Sequence, residues 1–206
     1  MQPLPVYILA GGRSSRFGSD KARARLAGQP LIVRLAHSLH PIASRLTVVA
    51  DQFDKYEDLG LATIMDRYPG WLGPLAGLHT ALEHCRKYET SEWVLLAACD
   101  LVEVKVDWVE ALAAHAGGEA QAVLFRGERW EPLFALYHTS LLATVQEHLC
   151  RGTRAMRRLI EEVRHVAVPL PADWPMISQI NSPEDWRAHE ELMGGSQRQP
   201  ASSQPS

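Results

Sequence analysis

Cysteine is scarce in this sequence, and neither sign of charge is in excess. The 206 residues hold three cysteines, Cys85, Cys99 and Cys150, set far apart with no CxxC among them. That pattern excludes a disulfide framework and a cysteine-based zinc site, and leaves free, mostly buried thiols as the expectation. The nine histidines do not fall at metal-ligand spacing, so they read as ordinary surface or core residues. The formal net charge is −3, with basic residues interspersed among acidic ones, which argues against wholesale attraction to nucleic acid or a membrane surface. Long apolar runs are missing as well. The start, MQPLPVYILAGG, has no cationic region, and its apolar run is far too short for a signal peptide or a membrane span. A cytoplasmic location is the expectation. No internal repeat is present.

What is there fits one domain, since a chain of this length can bury about 70% of the surface its unfolded form exposes. The domain is expected to span residues 1–193, because 194–206, GGSQRQPASSQPS, is polar and without apolar periodicity and reads as a disordered tail. Val6 to Ala10 is a buried strand that stops at Gly11-Gly12, where a tight turn with positive φ is expected. Leu31, Ile32, Leu35, Ala36, Leu39 and Ile42 recur at helical spacing, with Pro30 placed for the first turn. A strand at Leu46–Ala50, a polar connection over Asp51–Gly60 and a strand at Ala62–Met65 follow. The order strand, helix, strand signals a parallel sheet. After a loop, Gly73-Pro74-Leu75-Ala76-Gly77 opens an amphipathic helix to about Tyr88. Trp93–Cys99 is apolar on both faces, so it is expected at the centre of the sheet. Further along come a helix over Asp107–Ala116, strands at Ala122–Arg126 and Leu133–Tyr137 that suit a mixed or antiparallel extension, and helices over Ser140–Cys150 and Arg154–Val163. A strand at Val166–Leu170, a short strand ending at Ile180, and a helix capped by Ser182 with Pro183 in its first turn complete the reading.

The chemistry concentrates at strand ends. Behind the first strand, Leu9 to Lys21 reads LAGGRSSRFGSDK. Its glycines let a ligand approach backbone N–H groups, its serines supply hydroxyls, and Arg16 and Lys21 supply fixed positive charge, as binding a polyphosphate requires. The stretch is neither GxGxxG nor GxxxxGK[ST], since Ser14 breaks the first pattern and Ser19-Asp20 the second. In an open α/β sheet, ligands bind outside the carboxyl ends of the strands, so Gly11-Gly12, Asp66 and Asp100 are expected to converge on one crevice. A bare carboxylate after so apolar a strand is costly unless paired or metal-bound, and a hard cation at Asp100 resolves the conflict. Arg126, Arg129, Arg154, Arg157 and Arg158 could meet a second anionic substrate or form a solvated helix face. Trp130, Pro132 and Trp71 could line a pocket or simply pack.

LAGGRSSRFGSDK resembles the signature LAGGxSxRMGxDK of nucleotidyltransferases, and among them the molybdenum cofactor guanylyltransferases, with Phe17 in place of the usual Met. Gly73–Gly77 matches the family's GPLAG segment, and Asn181-Ser182-Pro183-Glu184-Asp185 its N-[ST]-P-E-[DE] segment. The resemblance implies a Rossmann-like three-layer α/β sandwich of the nucleotide-diphospho-sugar transferase kind, with a mostly parallel, mixed central sheet. It implies transfer of GMP from GTP to the phosphate of molybdopterin or molybdenum cofactor, with release of pyrophosphate and with Mg²⁺ as cofactor. Leu9, Ala10, Gly11, Gly12, Lys21, Asp66 and Asp100 would bind the nucleotide, with Lys21, Arg16 and Asp100 as the catalytic group. Asp100 would hold the metal, joined by Asn181. Molybdoenzyme apoproteins or cofactor chaperones are possible partners. Two departures stand out: Val102 replaces a proline, and Val49-Ala50-Asp51 lacks the family's asparagine, so Asp51 is a substitute candidate. A cytidylyltransferase on the same cofactor is a rival reading, although its relatives tend to have LAAG where Gly12 makes LAGG here. Other rivals are a nucleotidyltransferase acting on another sugar or alcohol phosphate, and a non-catalytic nucleotide-binding or cofactor-delivery relative.

Overall fold

Strand β1, Leu4–Leu9, alternates its side chains between two cores: Val6 and Ile8 face one, Tyr7 and Leu9 the other. A strand buried on both faces needs helices on both sides of its sheet, and the chain supplies them in order. The computed structural model describes residues 2–11, 20–68, 73–101 and 103–174. After β1 come a short hairpin, β2 (Arg25–Leu26) and β3 (Gln29–Pro30), helix α1 (Leu31–Leu39), β4 (Ala43–Ala50), β5 (Thr63–Met65) and α2 (Pro74–Tyr88). Then follow β6 (Trp93–Ala98), α3 (Val106–Ala113), β7 (Ala122–Arg126), β8 (Trp130–His138), α4 (Leu142–Cys150), α5 (Met156–Glu162) and β9 (His165–Pro169).

The main sheet has seven strands in the order β5-β4-β1-β6-β8-β7-β9. β5, β4, β1 and β6 run parallel, β8 is antiparallel to both neighbours, and β9 is parallel to β7. The mixed extension expected after the parallel half is therefore present, and β6 stands fourth of the seven, at the centre. Ile32, Leu35, Trp108 and Leu112 of α1 and α3 cover one face, against Val6, Ile8, Val48 and Leu95. Leu75, Leu78, Leu82, Val145 and Leu159 of α2, α4 and α5 cover the other, against Tyr7, Leu9, Leu96 and Tyr137. The result is a three-layer sandwich.

Several boundaries differ from the sequence expectation. Pro30 closes the hairpin and precedes α1 instead of lying within its first turn, while Ile42 ends a separate 3-10 turn, His40–Ile42. The hairpin itself escaped the pattern because its turn uses Ala27 and Gly28, both at positive φ (48° and 83°). Asn-Gly or Asp-Gly would have signalled it. Helix α4 follows a 3-10 turn, Thr139–Leu141, and β8 extends beyond the Leu133–Tyr137 core at both ends. All three cysteines are free, but only Cys85 is buried; Cys99 is intermediate and Cys150 exposed. The strand expected before Ile180, the helix at Ser182 and the segment 194–206 lie outside the described residues. Among the described residues, no helix is long and apolar enough to cross a membrane.

Leaving β9, the chain turns onto α3. The Trp174 indole lies 4.8 Å from that of Trp108, centroid to centroid, and also contacts Phe125 and Phe134. Asp173 accepts hydrogen bonds from Trp108 Nε1 at 2.9 Å and Lys105 Nζ at 2.7 Å. Gly127 makes room for this path, because a Cβ there would sit 2.3 Å from Leu170 Cδ1.

Candidate active site at the carboxyl edge of the parallel strands

The parallel strands end level with one another, so their following residues share one rim. Backbone hydrogen bonds continue one step past the strands: Ala10 N–H donates to Val49, Asp66 N–H to Ala50, and Cys99 N–H to Leu9, at 2.7–3.0 Å. Gly11, Asp51, Asp66 and Asp100 therefore stand along the same edge, each after a different strand. Asp66 follows β5 and Asp100 follows β6, three strand spacings apart, or about 14 Å. One ion cannot bridge them.

At the β6 end, Lys21 Nζ donates to Asp100 Oδ2 at 2.9 Å, with the two side chains only 13% and 17% exposed. The costly carboxylate after an apolar strand is thus paired with a cation from the glycine-rich segment, 79 positions earlier. Asp100 Oδ1 is buried and has no hydrogen-bond partner among the described residues. A buried carboxylate oxygen left bare is expensive, and a hard divalent cation with oxygen ligands fits it. Among the described residues, no three or more His, Cys, Asp or Glu side chains gather as a metal cage. An ion held through Asp100 would complete its shell with water and substrate phosphate, as Mg²⁺ commonly does. Burial pushes the neighbouring Cys99 thiol up to about 12, so it stays protonated and is no nucleophile.

Lys21 opens a 3-10 turn, Lys21–Arg23, capped by Asp20, whose carboxylate accepts the Ala22 N–H at 3.1 Å. Gly11 does not need its freedom for positive φ, as the turn reading supposed, since its φ lies outside that region. No described atom lies within 4 Å of where a Cβ would be, so no described residue crowds that backbone. Gly12, Arg16, Phe17 and the three serines lie outside the described residues, as do Trp71, Val102 and Asn181.

At the β5 end, Asp66 Oδ1 accepts from Thr80 Oγ1 at 3.0 Å and from the Tyr68 N–H at 3.2 Å. Burial pushes its carboxyl above the ordinary 3.8, against the pull of those hydrogen bonds. Thr80 is a site residue that sequence reading missed; the available signal was a hydroxyl on the helix opened by the GPLAG segment. That segment has a structural account of its own. Gly73 has φ 78°, Pro74 starts α2, and Leu75 and Ala76 are fully buried. A Cβ on Gly77 would lie 2.8 Å from Leu9 Cδ2, so the glycine lets α2 lie close against β1 and brings Thr80 to Asp66.

The remaining candidates are placed elsewhere. Asp51 is engaged by Lys55 Nζ at 2.8 Å. Arg157 and Arg158 both pair with Glu161 on the exposed face of α5, which is the solvated-face reading. Arg126 stacks over Trp130, 4.6 Å from its centroid, and Trp130 meets His165 edge-on. The Pro132 carbonyl accepts the Tyr137 hydroxyl at 2.7 Å. The Arg154 carbonyl lies 3.5 Å from where a Cβ on Gly73 would be. Among the described residues, none of these guanidiniums pairs with Asp100.

The MobA-like NTP transferase domain family matches residues 6–168. The molybdenum cofactor guanylyltransferase of Yersinia pestis (strain Pestoides F) is 34% identical over 196 residues, covering 90% of this chain and 94% of that protein. The crystal structure of molybdopterin-guanine dinucleotide biosynthesis protein A from Archaeoglobus fulgidus superposes with a TM-score of 0.77 at 27% identity, covering 93% of this chain and all of that one. CMP:2-keto-3-deoxy-manno-octonic acid synthetase complexed with CTP shares the fold, with a TM-score of 0.71 at 12% identity over 95% of this chain and 100% of that one. The overall fold and the two strand-end aspartates thus stand beside sequence similarity along nearly the whole chain: it belongs to the MobA-like NTP transferase family, and relatives 34% identical to it are named molybdenum cofactor guanylyltransferase.

Proposed function

We propose that this protein transfers GMP from GTP to the terminal phosphate of molybdopterin or molybdenum cofactor, forming the guanine dinucleotide and releasing pyrophosphate. The observation that carries this reading is the Lys21–Asp100 pair at the centre of the rim, whose Oδ1 has no hydrogen-bond partner among the described residues. An oxygen of the acceptor phosphate attacks the α-phosphorus in line, and the bond to the β-phosphate oxygen breaks. The acceptor is already ionised, so no general base is needed, and catalysis is positioning and charge neutralisation. Lys21 lies where it can offset negative charge growing on the triphosphate, and the backbone at Ala10 and Gly11 leaves room for phosphate oxygens. Arg16 would hold the β- and γ-phosphates. Asp66, about 14 Å along the rim, receives the nucleoside end, where a carboxylate oxygen can accept a hydrogen bond from base or sugar. A Mg²⁺ ion would bind Asp100, with Asn181 as a further ligand, and would supply charge neutralisation at the phosphates.

The working unit is residues 1–193, in the cytoplasm, and removal of 194–206 leaves turnover unchanged. The test is incubation with molybdopterin, Mg²⁺ and each nucleoside triphosphate in turn, with the product identified by mass. GTP is expected to give the guanine dinucleotide fastest. Equal or better turnover with CTP would overturn the guanylyl reading and leave the nucleotidyl-transfer reading standing.

A further inference from the structure

The connection leaving β4 carries Phe53, Tyr56, Leu59 and Leu61 among polar residues, and Tyr56 is the most buried of its residues. Tyr56 has no exposed surface. Its hydroxyl lies 2.9 and 3.2 Å from the two carboxylate oxygens of Asp20, and 3.4 Å from the Ala10 carbonyl. A single hydroxyl proton is best placed on Asp20 Oδ2, the shortest of the three contacts. Lys55 Nζ approaches the same carboxylate at 3.3 Å and is itself steadied by Asp51 at 2.8 Å. The Tyr56 ring lies beside two cations, with Arg23 at 5.2 Å and Lys55 at 5.4 Å from its centroid. Arg23 in turn binds both oxygens of Asp58, at 2.7 and 2.8 Å, and the Lys55 carbonyl at 2.7 Å. Residues 51–58 therefore clasp residues 20–23 from one side.

Asp20 is held by the hydroxyl, the ammonium and the Ala22 N–H together. That arrangement makes it an anchor within the motif, and it fixes the residue next to it. We propose that Tyr56 is a positioning residue for nucleotidyl transfer: its buried hydroxyl holds Asp20, and through the capped turn sets Lys21 against Asp100. The proposal rests on the reading above, in which Lys21 and Asp100 act on the triphosphate. Space filling alone does not call for the hydroxyl, since phenylalanine has nearly the same shape. Burial and the Asp20 carboxylate raise the hydroxyl's pKa, so it remains a donor throughout the working pH range.

Tyr56→Phe removes the donor and keeps the ring. With the nucleoside triphosphate that the wild type turns over best, kcat should fall about tenfold while KM for that nucleotide stays within about twofold, because the loss falls on the transition state. Without nucleotide, hydrogen exchange at the Ala22 and Arg23 amides should quicken about tenfold, with β1 unchanged and the melting temperature within a few degrees. Asp20→Asn combined with Tyr56→Phe should cost no more than the worse single change, as expected of groups acting in one chain of contacts. Wild-type kcat in Tyr56→Phe, a rise in KM alone, or faster exchange spread through the whole sheet would overturn the proposal. The exchange measurement uses no substrate, so a wild type that ignores GTP would count against the guanylyl reading and not against the anchor.

Discussion

Asp66 and Asp100 each follow a parallel strand at the same rim, yet their surroundings differ in kind. Asp100 has a cation on one oxygen and, among the described residues, no hydrogen-bond partner on the other. Asp66 has no cation on its carboxylate among the described contacts; a hydroxyl and a backbone N–H meet the same oxygen. Under the proposed function the first would meet a metal and phosphates, and the second would recognise a polar group by hydrogen bonding. A strand-end aspartate is thus not one kind of site, and what its helix and loop neighbours supply decides which kind it is.

The strongest way to break that contrast is Asp100→Asn, which keeps the shape and removes the charge. Turnover should fall by about 10²–10³-fold, the usual loss when a charge-neutralising contact at the transition state goes; a folded variant with near-normal turnover would remove Asp100 from the chemistry. Sequence alone suggests that deleting this carboxylate relieves a buried charge, but the Lys21 pair reverses the sign. Asp100→Ala takes the carboxylate away from a mostly buried ammonium and should cost about 1–2 kcal/mol of stability, less than a fully buried pair because both groups keep some solvent. Adding Lys21→Met should restore most of it, which thermal unfolding of the single and double variants will read.

Lys21→Ala comes next, at about 10²-fold in kcat with little dependence on salt. Arg25, which donates to the Gly28 carbonyl at 2.8 Å on the surface, should change kcat less than about threefold when replaced by alanine. Equal effects at both positions, fading together as salt rises, would mean the segment merely attracts phosphate.

Asp66→Asn should raise KM for the nucleotide about tenfold with kcat less affected, as loss of ground-state recognition does. Its stability effect carries a pH signature. Burial raises the folded carboxyl above 3.8, so the folded state holds its proton longer than the unfolded chain. Native stability therefore falls as pH rises from the ordinary carboxylate value through the raised one, and the penalty persists above it. Asp66→Asn should melt higher than wild type at neutral pH and show no advantage below about pH 3. A constant difference across pH would deny the shift. The smallest effect is expected from Thr80→Val. Losing the hydroxyl that supports the charged form should push the Asp66 carboxyl higher still, by NMR titration, and raise KM about threefold.

Much of this was legible in the chain because strand ends and glycine-proline segments are local signals. Runs such as Trp93–Ala98 announce their burial, and a carboxylate placed immediately after one announces an unsolved charge. Its solution was not legible, since nothing local links Lys21 to Asp100, and periodicity carries no information on contacts made by packing two elements together. The same limit hid Thr80 and Tyr56, whose partners come from other elements. Gly11 and Gly77 taught a further lesson. Both sit in motif segments, but Gly11 does not adopt positive φ, and Gly77 is confined by Leu9, so a motif glycine can mark close packing as readily as ligand approach or turn geometry.

The pairing of Trp108 with Trp174 gives the molecule an optical reporter. Two indoles at 4.8 Å and a 37° tilt, one of them hydrogen-bonded through Nε1 to Asp173 at 2.9 Å, form a coupled chromophore whose near-ultraviolet circular dichroism depends on both rings keeping their relative angle. Because Lys105 binds the same Asp173, a displacement of Lys105 would reach that chromophore directly and would register as a change of light absorption, with no label attached.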